Sequence, residues 1–108
     1  MELLHYVEGH FREELTLERL SERYFLNASY VCVLFKRATG ETFLGYLNTL
    51  RMREAHRLLL TTDDSLAKVA ETAGYRDYYY FSRAFKKRFG ISPRQCRLEG
   101  RRTDGEEI

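Results

Sequence analysis

Tryptophan is absent from these 108 residues, proline occurs once, and cysteine occurs twice. No apolar run approaches the roughly 18 residues that a membrane span requires, so no membrane segment is expected. The start, Met1-Glu2-Leu3-Leu4-His5, lacks the pattern of a signal peptide. Cys32 and Cys96 stand far apart, with no CxxC motif and no histidine pair at ligand spacing. This excludes a recognisable zinc motif and leaves reduced thiols in the cytoplasm as the expectation. His5, His10 and His56 form no cluster, no phosphate-binding loop is present, and no Ser-His-acid set can be assembled. No enzyme activity, metal or cofactor is therefore expected. So little proline fits a mostly helical chain with short connections.

The composition supports a packed interior: 44 % of the residues are hydrophobic, and there are eight tyrosines and seven phenylalanines. A length of 108 residues allows one ordinary domain or two very small units. The net charge is only +2, but the cations are clustered. They fall at Lys36-Arg37, Arg51/Arg53/Arg57, Lys86-Lys87-Arg88 and Arg94/Arg97, which is the footprint of a phosphate-backbone binder.

The chain also says nearly the same thing twice. Leu20-Ser21-Glu22 leads to Phe35-Lys36-Arg37-Ala38-Thr39-Gly40, and Val69-Ala70-Glu71 leads to Phe85-Lys86-Lys87-Arg88-Phe89-Gly90. The offset is 49 residues at the start and 50 at the end, so the second copy carries one extra residue.

Periodicity predicts seven helices and no strand, an all-α chain. The first covers residues 2–12, with Leu3, Leu4, Val7 and Phe11 at helical spacing. Thr16 caps a short second helix carrying Leu17, Leu20 and Tyr24. Asn27 caps a third with Val31, Leu34 and Phe35 inward, and Gly40 ends it. A long fourth helix runs over about residues 42–61. The fifth covers residues 66–73 and stops at Gly74. Asp77 caps the sixth, with Phe81, Ala84, Phe85 and Phe89 inward and Gly90 as its stop. Ser92-Pro93 opens a seventh that reaches about Leu98, and residues 99–108 are expected to form a disordered tail.

A short helix, a tight turn and a second helix form a helix-turn-helix, whose second helix can lie in the DNA major groove. Residues 17–35 and 66–85 both fit, with Ser21 and Ala70 small at the helix crossing. Reading helices in successive grooves must sit about 34 Å apart. A linking helix of about 20 residues spans roughly 30 Å. The expected division is a first subdomain over residues 2–41, a linking helix over 42–61 and a second subdomain over 62–98.

The string Gly74-Tyr75-Arg76-Asp77-Tyr78-Tyr79-Tyr80-Phe81-Ser82-Arg83-Ala84-Phe85-Lys86-Lys87-Arg88-Phe89-Gly90-Ile91-Ser92-Pro93, followed by Arg97, closely resembles the signature of the AraC/XylS transcriptional regulators. Leu34-Phe35-Lys36, Gly40, Arg51-Met52, Ala55 and Leu58-Leu59 fit as well. The resemblance covers residues 2–98 and implies a seven-helix DNA-binding domain of a transcriptional regulator and contact with RNA polymerase at promoters; an activator is the expectation, with repression left open. It further implies that an N-terminal sensor or receiver domain, for which this chain has no room, belongs to the whole protein. Three positions depart from the family pattern. Cys96 stands where an aromatic is usual before Arg97, and Cys32 and Val33 occupy exposed positions where polar or basic side chains are common.

The face opposite each buried stripe must meet the bases. On the third helix it carries Ser29, Cys32, Val33 and Lys36, and on the sixth Tyr79, Ser82, Arg83 and Lys86. Arg83 suits bidentate pairing with guanine, whereas Cys32 and Val33 offer only apolar contacts, as with thymine methyls. Lys36, Lys86 and Lys87 are expected on phosphates, together with the Tyr78 hydroxyl and the helix starts capped by Asn27 and Asp77. Arg51, Arg53 and Arg57 either touch DNA or pair with Glu54 and other acids. The expected function is sequence-specific recognition of double-stranded DNA by the third and sixth helices in successive major grooves. Because the two faces differ, the target should be asymmetric. Two rivals are a helix-turn-helix protein-interaction module that no longer reads DNA, and the DNA-binding part of a DNA-repair regulator.

Overall fold

The computed structural model describes residues 2–106, with side chains described as far as residue 100. The described residues form seven helices and no strand: α1 (Glu2–His10), α2 (Leu17–Tyr24), α3 (Ala28–Thr39), α4 (Phe43–Thr61), α5 (Leu66–Ala73), α6 (Tyr78–Phe89) and α7 (Pro93–Glu106). The chain divides inside α4 into two compact units, residues 1–51 and 52–108.

Local chemistry sets most boundaries. Thr16, Asn27, Ser65 and Asp77 each accept a backbone N–H of the helix they open, at Arg19, Ser29, Lys68 and Tyr79. Gly40 and Gly90 close α3 and α6 at φ 77° and 83°, a left-handed conformation that glycine takes without a Cβ penalty.

In the first unit Leu3, Val7, Phe11, Leu20, Val31, Phe35, Phe43 and Leu47 form one buried cluster. Phe35 meets Phe43 edge-on at 5.4 Å between ring centroids. In the second unit the core comprises Met52, Ala55, Leu58, Leu59, Val69, Ala70, Ala73, Tyr75, Phe81, Phe85 and Cys96. The linking helix is thus more than a spacer: Phe43 and Leu47 near its start fill one core, and Met52 through Leu59 fill the other. Full burial of a large apolar side chain contributes about 1.5–3 kcal/mol, so each half of α4 is held by its own unit.

Three features differ from the periodic reading. Phe89 packs on the buried Phe85 at 4.5 Å between centroids but stays 37 % exposed at the core's edge, where its ring stacks on His56 at 5.1 Å. Leu44, in phase with the apolar positions of the linking helix, is also exposed. The last helix continues past Leu98 to Glu106, so residues 99–106 are helical where a disordered tail is expected. At Gly100 the helix runs close to Leu60, whose Cδ2 lies where a Cβ would stand. The last two residues of the expected tail, 107 and 108, lie outside the described residues.

The turns of the two helix-turn-helix segments share one hydrogen-bond pattern. Leu26 N–H donates to Ser21 C=O and Tyr75 N–H to Ala70 C=O, each at 2.9 Å. This is the long bond of a Schellman closure, and the residue before it is left-handed in both: Phe25 at φ 54° and Gly74 at φ 108°. Phe25 is 94 % exposed, so its phenyl ring gains little from packing while its backbone carries the left-handed cost. Phe25→Gly should therefore stabilise the first unit by about 0.5–1 kcal/mol, the relieved strain less glycine's extra chain entropy. Denaturant unfolding of the variant checks this, and a loss of stability would show that the ring packs more than its exposure implies.

Candidate nucleic-acid interface

Burying Val31 and Phe35 turns the opposite face of α3 outward, and that face carries Ser29, Cys32, Val33 and Lys36, all exposed. Positions i, i+3, i+4 and i+7 share one side of a helix. Burying Phe81 and Phe85 does the same for Tyr79, Arg83 and Lys86 on α6, which are exposed, while Ser82 is half-buried. Each unit therefore presents an outward strip on the second helix of its helix-turn-helix. Lys87 is exposed beside the second strip, and Arg37 beside the first. Among the described residues no hydrogen-bond or ion-pair partner engages the side chains of Lys36, Arg83, Lys86 and Lys87. Their charges stay available to a ligand.

The two strips start differently. The Asp77 carboxylate accepts from the N–H groups of both Tyr79 and Tyr80, at 2.9 and 3.2 Å, and its charge offsets the positive end of α6. Asn27 is neutral and accepts only from Ser29, at 2.8 Å, so α3 keeps the positive potential at its start. The tyrosine run divides as well. Tyr79 is 74 % exposed, whereas Tyr78 is half-buried, packed against Phe81 at 6.1 Å and edge-on to Tyr79 at 5.9 Å. Tyr78 thus braces the outward tyrosine.

Two arginines of the basic clusters, Arg51 and Arg97, turn to backbone carbonyls. Arg51 donates through Nε to Phe11 C=O at 2.8 Å and through Nη2 to Glu13 C=O at 2.9 Å. Arg97 binds Leu59, Asp64 and Thr62 carbonyls at 3.1, 2.6 and 3.2 Å. Arg57 donates to the buried Glu54 carboxylate at 2.7 Å, while Arg53 stays exposed. The cationic surface is accordingly narrower than the count of arginines in the sequence. Tyr30 and Arg37 are also exposed on α3.

A helix-turn-helix domain family matches residues 20–99. The chain belongs to the AraC/XylS helix-turn-helix family. It is 37 % identical over 95 residues to the transcriptional activator RhaS of Escherichia fergusonii, covering 88 % of this chain and 34 % of the relative. The C-terminal domain of the two-component response regulator yesN from Fusobacterium nucleatum is similar at a TM-score of 0.84 and 36 % identity, covering 89 % of this chain and 94 % of that domain. The DNA-binding domain of AdpA, solved in complex with a target DNA, is similar at a TM-score of 0.89 and 29 % identity, covering 94 % of this chain and 92 % of the other. The chain spans about a third of the length of the curated relatives it matches.

Against the AraC/XylS pattern, Cys96 fills the aromatic position as a buried core residue. Burial, and after it the negative charge of Glu99, push its thiol above the ordinary range, so it stays protonated inside the second core. The second departure, Cys32 with Val33, is on the outward strip of α3.

Proposed function

We propose that this chain is the sequence-specific, double-stranded-DNA-binding part of a transcriptional regulator, with α3 and α6 as reading helices. The observation that carries the reading is the same arrangement in both units. A short helix and a Schellman turn hold a second helix whose buried stripe forces a strip of exposed side chains outward. Major-groove entry by such a helix is the geometry of helix-turn-helix proteins. On α6, Arg83 reads a guanine edge while Lys86 and Lys87 neutralise phosphates; on α3, Lys36 and the Asn27-capped start meet the backbone. Ser29, Cys32, Val33, Tyr79 and Ser82 complete the base-facing set, and the Tyr78 hydroxyl reaches a phosphate at the edge of its packed site. α4 is one continuous helix of 19 residues. At 1.5 Å per residue it is about 28 Å long.

The match to an activator supports a role in activation and, with it, contact with RNA polymerase. The longer relatives support an N-terminal sensor or receiver domain that delivers the signal. The work is cytoplasmic and calls for no catalysis, metal or cofactor. No helix among the described residues is long and apolar enough to cross a membrane. The test is selection by this chain from a random duplex library. An enriched, non-palindromic site bound more tightly than its shuffled control is expected. Failure to enrich any sequence would favour the interaction-module reading.

A further inference from the structure

The first reading strip holds an apolar centre that hydrogen-bond readout of bases does not explain. Val33 is 46 % exposed, and Cys32 beside it is exposed. Under the 50-residue offset of the repeat they stand where α6 has Arg83 and Ser82. Valine has no hydrogen-bonding atom in its side chain, and a thiol is a weak partner. Neither can distinguish adenine, guanine or cytosine by their hydrogen-bonding edges. The apolar group that unmodified DNA displays in the major groove is the thymine 5-methyl.

We propose that α3 recognises thymine methyl groups through Val33, with Cys32 as its neighbour, so that the half-site under the first unit is specified by methyls and the half-site under the second by a guanine. The inference rests on the duplex-DNA reading above. Charge complementarity favours DNA as the occupant. The apolar centre is followed one turn later by Lys36 and Arg37, both exposed, and preceded by Ser29 at the neutral-capped helix start. A groove floor bearing methyls between anionic phosphate walls matches that order. The β-branch holds Val33 stiff at χ1, so its two methyls are presented with little rotamer freedom to lose.

The experiment uses the 108-residue chain and the best duplex from the random-library selection, with each thymine replaced singly by deoxyuridine. The replacement removes the 5-methyl and leaves every hydrogen-bonding group in place. At one or two thymines affinity should fall about fourfold, the figure for withdrawing one buried methyl-sized group. Val33→Ala should bind the parent duplex more weakly and lose most of that sensitivity; the side chain is half exposed, and a helical circular dichroism spectrum confirms its fold. If every uracil duplex binds as tightly as the parent, the methyl assignment is wrong while DNA binding stands. If the sensitivity survives unchanged in Val33→Ala, Val33 is not the reader. If no duplex is enriched at all, the underlying DNA reading falls, and the inference with it.

Discussion

Arg97→Ala is expected to destabilise the second unit by about 3 kcal/mol, a large share of the 5–15 kcal/mol typical of a folded domain. Three carbonyls lose their donor together. One of them, Leu59 C=O, lies in the last turn of α4, where carbonyls have no partner within the helix. The other two, of Thr62 and Asp64, belong to the segment leading into α5, so the same guanidinium fixes the end of one helix and the approach to the next. A cation also suits the negative end of a helix dipole. Hydrogen bonds to a charged group contribute about 1.5–3 kcal/mol each and do not add fully. Lysine at this position has no planar fork, so Arg97→Lys should recover only part of the loss. Denaturant unfolding provides the test, and a loss below about 1 kcal/mol for Arg97→Ala would contradict this role. Arg51 makes the equivalent contacts in the first unit with two carbonyls.

Arg83→Ala should remove about 1–3 kcal/mol of discrimination at one base pair of the target and leave the other positions as selective as before. Its side chain is exposed on the outward strip of α6, so the effect is on binding and not on folding. Lys87→Ala provides the contrast. It should weaken enriched and shuffled duplexes about equally and lower the salt slope by about one. Affinities for a panel of single-base variants separate the two. If Arg83→Ala keeps the parent base preference at every position, Arg83 does not read a base.

What could be read from the sequence was mainly what depends on neighbours along the chain. Asn27 and Asp77 bond N–H groups two or three residues on, and Gly40 and Gly90 meet a backbone requirement at their own position. Val31, Phe35, Phe81 and Phe85 are buried because the helical period places them on one side. Arg51 and Arg97 were misleading because their partners lie 33 to 40 residues away, and a basic cluster looks alike whether it faces phosphate or carbonyl oxygen. The polar, glycine-bearing tail after Leu98 carries no apolar stripe, so its helical continuation past Gly100 was not legible. Three consecutive tyrosines cannot share one helical face at about 100° per residue. Only the packing of Tyr78 on Phe81 shows which of them turns inward. On the candidate interface, the outward strip of α3 was legible in full from the period, whereas the half-burial of Ser82 on α6 was not.

Sequence-specific binding of duplex DNA is tested most directly by titrating salt against affinity for the enriched duplex and its shuffled control. Log affinity should fall linearly with log salt, with a slope of about −2.7 or steeper if Lys36, Lys86 and Lys87 each neutralise a phosphate. The enriched duplex should remain the tighter one at every salt concentration. Affinity that is flat in salt, or equal for the two duplexes, would contradict the account.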